Sequence, residues 1–193
     1  MRKSEIDRKT KETSIKIDIE LDGEGVSHIK TGIPFFDHML TSFSKHSGID
    51  VELSVDGDID VDYHHTIEDT GIVLGAALNK ALGDKKGIER FSDALVPLDE
   101  ALTRTVLDIS GRPFLHFGAE FKRGDDGSGV NPYLFEEFFR GLVNSGMLTL
   151  HIDLIRGDNS HHIVESIFKS FAKALKKAIK ITGEDIPSSK GTL

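Results

Sequence analysis

The feature that most constrains the fold is an internal repeat. Each half of the chain has an aromatic helical segment, a Ser-Gly pair, a predicted strand and then a His-His-x-x-Glu motif that opens a long amphipathic segment. The pairs Ser47-Gly48 and Ser145-Gly146 lie 98 residues apart, and the motifs that begin at His64 and His161 lie 97 residues apart. Offsets that agree within one residue indicate duplication. We therefore expect two copies of one structural unit.

The two units are predicted to be a first repeat half, residues 1–86, and a second repeat half, residues 87–193, packed as one catalytic body. Strict alternation of apolar residues predicts a half-buried strand at 14–21, with 26–30 as its hairpin partner. Further strands are predicted at 49–55, 94–98, 102–109, 114–121 and 147–155, a polar, Gly-rich loop at 122–130, and helices at 34–47, 64–82, 132–144 and 160–181. This order predicts an α+β fold with mostly antiparallel sheets and helices on one face.

Composition excludes several kinds of site and partner. The 193 residues include no cysteine, which rules out disulfides and thiolate zinc sites and fits a cytoplasmic protein. The net charge of −8 argues against nucleic-acid partners and anionic membranes. No apolar stretch predicts a signal peptide or a membrane span. An anionic ligand would therefore need a local group of Lys and Arg.

The two His-His-x-x-Glu motifs carry the chemistry. On a helix, His161, His162, Glu165 and Lys169 fall within an arc of about 100°, opposite an apolar stripe. His64, His65 and Glu68 are placed similarly in the first half. One His-His pair alone is more typical of a solvated helix start. Two pairs at matching places in a repeat, each with a glutamate, favour ligation of divalent metals.

The direction of the histidines predicts how the metals are shared. Adjacent residues of a helix point apart, so the two imidazoles of a pair are expected to reach different ions. Two motifs can then serve two metal sites. His38, in the segment FFDHML, can supply a further ligand. Because the motifs face outward, we expect a neighbouring subunit to complete each site.

At these residues the sequence resembles the imidazoleglycerol-phosphate dehydratase family. The resemblance covers nearly the whole chain and rests on the segments RKTKET, GIPFFDHML, DYHHTIEDTG, PLDEAL, DISGRPFL, TLHI, NSHHIVESIFKSFAKAL and IPSSKG. It implies two manganese ions per active site, an imidazole-bearing phosphorylated substrate, and a 24-subunit homo-oligomer of trimers with active sites between subunits. It also implies a duplicated fold like the second domain of ribosomal protein S5.

The resemblance assigns roles to residues of this chain. Glu137 stands where many relatives have histidine, and in the repeat it aligns with His38. The metal ligands that the resemblance implies are His38, His64, His65, Glu68, Glu137, His161, His162 and Glu165. The implied catalytic carboxylates are Glu12, as the base, with Glu68 and Glu165. The implied substrate-binding residues are Glu12, His46, Arg90, Asp99, Arg112, Lys169, Ser188 and Lys190, and Glu100 could also orient a substrate hydroxyl.

The chemistry itself limits the mechanism. Dehydration of imidazoleglycerol phosphate removes a hydroxyl beside the ring and a hydrogen that no carbonyl makes acidic. The ring must therefore help to expel the hydroxyl. We expect a metal-stabilised imidazolate and a diazafulvene-like intermediate, after which Glu12 takes the proton and the enol becomes imidazole-acetol phosphate.

Two other functions fit part of the pattern. A dinuclear metallohydrolase acting on phosphate esters would use the same ligands, with a metal-bound hydroxide attacking phosphorus. A non-catalytic metal-binding or shell-forming protein would account for the ligands and the assembly. This non-catalytic protein would give no role to Glu12 or to the Lys and Arg side chains that could bind a phosphate.

Overall fold

The computed structural model describes residues 1–121 and 129–193, and it contains two units of the same element order. The loop predicted at 122–130 falls mainly outside these ranges. The first unit comprises β1 (Lys3–Lys9), β2 (Thr13–Glu20), β3 (Ser27–Lys30), α1 (Pro34–Ser47), β4 (Asp50–Gly57) and α2 (His64–Leu82). The second comprises β5 (Phe91–Leu98), β6 (Ala101–Asp108), β7 (Phe114–Gly118), α3 (Leu134–Gly146), β8 (Thr149–Arg156) and α4 (Ser160–Ala178).

Both sheets have the same topology, which confirms the duplicated α+β fold. Their strand orders are β1-β2-β4-β3 and β5-β6-β8-β7. In each sheet the first three strands of this order pair antiparallel and the last pairs parallel to its neighbour. Helices of each unit cover one face of its own sheet, and they also pack on helices of the other unit.

Two predictions about the first sheet are wrong. Segment 26–30 is not a hairpin partner of β2: its strand, β3, pairs parallel with β4, because both edges of β2 are taken by β1 and β4. The sequence also predicts no strand within 1–13, yet β1 forms there. Its burial alternates in part, with Ser4 buried and Lys3 and Glu5 exposed, and its many charges suit an edge strand.

The repeat is offset by 99 residues at the end of the first helix of each unit, not by the 98 that the Ser-Gly pairs predict. α1 is capped by Gly48 at φ 78°, and α3 is capped by Met147 at φ 55°. Both residues have a left-handed backbone conformation, so they occupy equivalent positions in the two repeat units. Gly146 is still inside α3. The predicted helix 160–181 also ends earlier, at Ala178, because Ile181 forms a bridge with Ile88.

The aromatic core joins the two units. Phe36 of α1 meets Phe138 of α3 with ring centroids 5.5 Å apart, and Phe138 stacks on Phe168 of α4 at 5.3 Å. Phe43 of α1 stacks on Phe171 of α4 at 5.6 Å. All five rings are fully or almost fully buried. Since helices of both units contribute, the halves share one hydrophobic core, and their relative positions are determined by its packing.

Glycines let α2 and α3 approach until their backbones touch. A Cβ atom on Gly71 would lie 2.1 Å from the carbonyl oxygen of Phe138, and one on Gly75 would lie 2.2 Å from that of Leu142. Neither clash can be relieved by rotating a side chain, because both obstacles are main-chain atoms. This close crossing determines where α2, with the first His-His-x-x-Glu motif at its start, lies against the second unit.

The crossing predicts that Gly71→Ala destabilises the protein. Alanine should favour a helix, but here its methyl must push α2 and α3 apart, so we expect unfolding to become easier by about 1–3 kcal/mol. Chemical denaturation measures this change. Gly183→Ala is the control, since a Cβ there meets no atom within 4 Å. A stabilised Gly71→Ala variant would contradict the close approach.

Candidate metal-binding active site

The packing of α1 against α4 assembles a group of three possible metal ligands. His38 comes from α1, whereas His161 and Glu165 lie one turn apart on α4. The imidazole Nε2 atoms of His38 and His161 are 3.6 Å and 3.3 Å from Glu165 Oε2. One ligand atom from each residue lies within 4.8 Å of the others. Within residues 1–121 and 129–193, this is the only such group of three or more.

The start of α4 explains how its two histidines are held. Asn159 is the N-cap, and its side-chain oxygen accepts the backbone N–H groups of His161, at 2.9 Å, and His162, at 3.3 Å. This is the usual way to satisfy free donors at a helix start. The cap therefore orients the first turn of α4, which presents both imidazoles at its surface.

The three-residue group suits a divalent ion. Nitrogen and carboxylate oxygen at about 2.0–2.2 Å from an ion lie roughly 3–3.5 Å from each other, which matches the spacing around Glu165. Lys169 Nζ lies 2.8 Å from Glu165 Oε1. Burial raises the pKa of Glu165, but the hydrogen bond and charge of Lys169 and the nearby imidazoles outweigh it, so the pKa is lowered. Glu165 is therefore held as a carboxylate, the form that ligates metals.

The first motif forms the matching pair. His64 Nε2 lies 3.3 Å from Glu68 Oε2, the same separation as between His161 and Glu165. Glu137 on α3 occupies the place equivalent to His38, but its Oε2 lies 3.3 Å from Arg140 Nε. In the described part of the chain, the structure does not bring Glu137 into a compact three-ligand group with His64 and Glu68. Its role as a ligand therefore stays a prediction.

The second histidine of each motif is oriented by a carboxylate. His162 Nδ1 lies 2.7 Å from Glu100 Oε2, and His65 Nδ1 lies 3.0 Å from Asp58 Oδ2. Such a bond fixes the ring and leaves Nε2 free to bind a metal. The bond to Glu100 raises the pKa of His162, and the same bond lowers the pKa of Glu100 to about 2. Asp58 raises the pKa of His65 in the same way.

Other predicted site residues lie near these ligands. Glu12, in the turn between β1 and β2, has its Oε1 4.0 Å from His65 Nε2. Asp99, in the equivalent turn of the second unit, has its Oδ2 3.7 Å from His162 Nε2. His46 lies further along the α1–α4 seam. Burial first, and then the charges of Lys173 and Lys169, lower its pKa.

The remaining predicted phosphate ligands lie at the other end of α4. Arg90 donates from Nε to Asp108 at 2.7 Å and from Nη1 to the carbonyl oxygen of Pro187 at 2.7 Å, which ties it to the C-terminal tail. Arg112 Nη2 lies 3.8 Å from the same Asp108. The tail itself carries two further predicted ligands, Ser188 and Lys190.

The length of α4 separates this second group from the predicted metal ligands. The backbone N–H of Arg90 bonds to the carbonyl oxygen of Ala178, the last residue of α4. His161 is 17 residues earlier, which corresponds to about 25 Å along a helix. One chain therefore holds the predicted site in two separate parts.

Sequence reasoning missed Asp58, which orients His65. It lies in the segment DGDIDVD, where Asp56, Asp58, Asp60 and Asp62 recur at every second position. Nothing in that pattern distinguishes one aspartate from the others. Only the turn that follows β4, in which the backbone N–H of Asp58 bonds to the carbonyl oxygen of Glu12 at 3.1 Å, brings this one to the imidazole.

Known proteins match this chain along its whole length. A family model described as imidazoleglycerol-phosphate dehydratase matches residues 31–175. The relative of that name from Methanococcoides burtonii is 53% identical over 193 residues, covering 100% of both chains. That from Methylobacillus flagellatus is 50% identical over 196 residues, covering 100% of this chain and 98% of the relative.

Solved structures agree with the fold. The imidazoleglycerol-phosphate dehydratase of Staphylococcus aureus subsp. aureus N315 superposes with a TM-score of 0.84 at 43% identity, covering 93% of this chain and 99% of that one. The enzyme of Pyrococcus furiosus superposes with a TM-score of 0.85 at 37% identity, covering 97% of this chain and 100% of that one. The chain is thus an enzyme that belongs to the imidazoleglycerol-phosphate dehydratase family, the hydro-lyases of histidine biosynthesis.

Proposed function

We propose that this enzyme converts imidazoleglycerol phosphate to imidazole-acetol phosphate with the help of two manganese ions per active site. The observation that carries the proposal is the convergence of His38, His161 and Glu165 from both repeat halves, with their ligand atoms within 4.8 Å of one another. Imidazole and carboxylate groups suit manganese and other divalent ions. Membership of the dehydratase family supplies the reaction.

The proposed ligands divide between the two repeats. His38, His161 and Glu165 would hold one ion, and the equivalent places in the other repeat are taken by Glu137, His64 and Glu68. Asp58 and Glu100 orient His65 and His162. Each of these two histidines would present Nε2 to an ion other than the one that the first histidine of its motif binds. When bound, the ions would act as Lewis acids toward the imidazole ring of the substrate and so assist departure of the neighbouring hydroxyl.

Glu12 is the proposed base. Its carboxylate lies 4.0 Å from the Nε2 of His65, at the side of a proposed ligand, and its side chain is 55% exposed. It can therefore meet a substrate ring held at the metals and take the proton from the carbon next to the one that loses hydroxide. The electron pair of the broken C–H bond forms the carbon–carbon double bond of the enol. The enol then gains a proton on the carbon beside the ring and loses the proton of its hydroxyl group, which gives the ketone with the phosphate retained.

The proposed phosphate ligands differ in their distance from the metals. Lys169 is beside Glu165, whereas Arg90, Arg112, Ser188 and Lys190 lie beyond the far end of α4, about 25 Å away. A substrate of this size cannot reach both groups within one chain. We therefore propose that the distant cations act in the site of a neighbouring subunit, so that active sites lie between subunits of a homo-oligomer.

The outer face of the second sheet supports assembly. It exposes several large apolar side chains beside the charged Asp93, Arg104 and Asp153, whereas the first sheet exposes mainly charged ones. These side chains, with their exposed fractions, are Phe91 56%, Leu95 56%, Val106 41%, Phe114 54% and Ile155 48%. The equivalent face of the first sheet carries Lys3, Glu5, Lys16, Glu20 and Glu52. Large exposed apolar patches are typical of protein–protein contacts, and we propose trimers joined into a 24-mer.

The proposal also includes the location of the enzyme and the class of its partner. None of the helices in residues 1–121 and 129–193 has the length and apolar character that crossing a bilayer requires. A chain without cysteine needs no oxidising compartment, and we propose that the enzyme works in the cytoplasm. Its net charge of −8 supports a small-molecule substrate rather than a nucleic acid or an anionic membrane as its partner.

Glu12→Gln tests the base. The amide keeps the size of the side chain but cannot accept the proton, so we expect kcat to fall about 10²–10⁴-fold. Metal content, measured by elemental analysis, and assembly should not change. Glu184→Gln, at an exposed glutamate, is the control. Normal turnover of Glu12→Gln would refute the assignment of the base.

The same assay separates the competing functions. The dehydratase should yield enol or ketone with phosphate retained and should lose this activity on removal of metal. Release of inorganic phosphate would instead indicate the metallohydrolase. Metal binding without any turnover of imidazoleglycerol phosphate would indicate the non-catalytic protein.

Glu100→Gln tests the orientation of His162. Because the Glu100 bond raises the pKa of this imidazole, removing the negative charge should lower that pKa in metal-free protein, as measured by NMR titration. His65 should keep its raised pKa, since its partner Asp58 is unchanged. At a pH above the His162 pKa of both the unchanged protein and the variant, loss of the orienting carboxylate should weaken metal binding about 10–100-fold. An unchanged His162 pKa would show that Glu100 does not hold the ring.

Leu95→Asp tests the apolar face. A carboxylate at a subunit contact would have to lose its water, and Arg104 on the neighbouring strand, which already pairs with Asp153, would offset this cost only in part, so we expect smaller assemblies by light scattering. Leu95→Met keeps the apolar character and should keep the mass of the assembly. If Leu95→Asp had the same mass as the unchanged protein, this face would not be a subunit contact.

A further inference from the structure

The turn that carries Glu12 is shaped by local hydrogen bonds. Thr10 Oγ1 accepts the backbone N–H groups of Glu12, at 3.1 Å, and Thr13, at 3.0 Å. The backbone N–H of Thr10 donates to the carbonyl oxygen of Thr13 at 2.8 Å. These bonds lie within the hairpin of β1 and β2. They determine the shape of the turn, but they do not hold it against the helix that carries His65.

The backbone N–H of Asp58 bonds to the carbonyl oxygen of Glu12 from the turn after β4. The direct side-chain connection between α2 and the strands that flank the Glu12 turn is made by one buried carboxylate. Asp69 Oδ2 accepts a hydrogen bond from Thr13 Oγ1 at 2.5 Å and lies 2.7 Å from Arg8 Nη1. Arg8 is on β1 and Thr13 is on β2, so they flank the turn from both sides. Asp69 is 8% exposed and Thr13 is 3% exposed. The bond from Thr13 to this carboxylate is charge-assisted and shielded from water, so it holds its partners more firmly than a bond in water. Arg8 adds an ion pair from the other strand.

The place of Asp69 on α2 links the turn to the proposed ligands. It directly follows Glu68 and lies one helical turn after His65. A shift of the hairpin relative to Asp69 would therefore move Glu12 relative to His65, whose Nε2 is 4.0 Å from the Glu12 carboxylate.

The second unit has no equivalent charged contact among its described residues. The position 97 residues after Asp69 is Ser166, which makes a neutral bond of 2.6 Å to Thr103. In the turn of that unit, Glu100 bonds to Nδ1 of His162. In the first unit Asp58 takes the Nδ1 position of His65, and Glu12 is left without a hydrogen bond to either imidazole nitrogen. The charged contact thus occurs in the half whose turn carries the proposed base.

We propose that Asp69 is a positioning residue: through Thr13 and Arg8 it holds the Glu12 turn against α2 and keeps the proposed base beside His65, where the substrate would bind. This inference rests on the proposed role of Glu12. Asp69 itself is shielded from substrate and acts only through the turn. Its effect belongs to the proton-transfer step, which depends on the distance and direction between base and substrate.

Asp69→Asn is the first test. The amide has no charge for Arg8, and we expect kcat to fall about 100-fold while KM changes less than about 3-fold, because displacement of a catalytic group by roughly 1 Å has effects of that size. Metal content should not change. Ser170→Ala is the matched control, since it removes another buried strand–helix bond, that of 2.7 Å to Thr105, without touching the turn. Equal losses of kcat in both variants would reduce Asp69 to a general structural role and overturn the inference.

Thr13 gives a second test that does not depend on how well Asp69→Asn folds. Thr13→Val removes the hydroxyl while keeping the shape of the side chain, and it should lower kcat in the same way. Thr13→Ser keeps the hydroxyl and should preserve turnover. A Thr13→Val enzyme as active as Thr13→Ser would overturn the inference.

Hydrogen exchange supplies a measurement that is independent of activity. Release of the turn should speed exchange of the Glu12 and Thr13 amides in Asp69→Asn, and not in Ser170→Ala. Faster exchange with unchanged kcat would overturn the positioning role. If Glu12→Gln retained turnover, the proposed base would fail instead. If Glu12→Gln were inactive and Asp69→Asn fully active, the present inference alone would fail.

Discussion

Packing between helices of different repeat halves is the constraint on which the site depends. His38 belongs to the first half, and His161 and Glu165 belong to the second, so neither half alone contains the group. The shared phenylalanine core brings α1 along α4, and stacking of Phe43 on Phe171 at 5.6 Å is part of that seam. Loosening this core would therefore separate these three side chains. Stability and the proposed metal binding should then be coupled.

The two halves have kept the same frame but have come to differ in how they hold their carboxylates. Both orient the second histidine of the motif through Nδ1. The first half uses Asp58, beyond its fourth strand, whereas the second uses Glu100, in its first turn. This difference leaves Glu12 without a hydrogen bond to an imidazole nitrogen, as its proposed role of base requires. The outer faces of the sheets differ as well: that of the first sheet is mainly charged, whereas that of the second carries several exposed apolar side chains among charged ones. Duplication thus accounts for the two His-His-x-x-Glu motifs, and the halves have diverged in the carboxylates around them.

Sequence reasoning was most successful where a side-chain pattern repeats locally. The helices that begin at Pro34, His64 and Ser160 are found where the apolar periodicity and the terminal residues predict them. It failed at β1, where the charges of an edge strand hide the alternation, and at β3, whose partner depends on which strand edges remain open. It also aligned the Ser-Gly pairs, although the equivalent caps are Gly48 and Met147. A backbone conformation, rather than residue identity, defines that position.

The sequence by itself determined the duplication, the two His-His-x-x-Glu motifs and the family, because these are properties of residue order. Only the tertiary structure decided which residues meet. It placed His38 with His161 and Glu165, selected Asp58 from four alternating aspartates, and set Arg90 and Arg112 at the far end of α4. The reason is that contacts between distant segments depend on helix packing and strand pairing. The packing energy of the shared core selects these arrangements, and it is a sum over many side chains that no single motif contains.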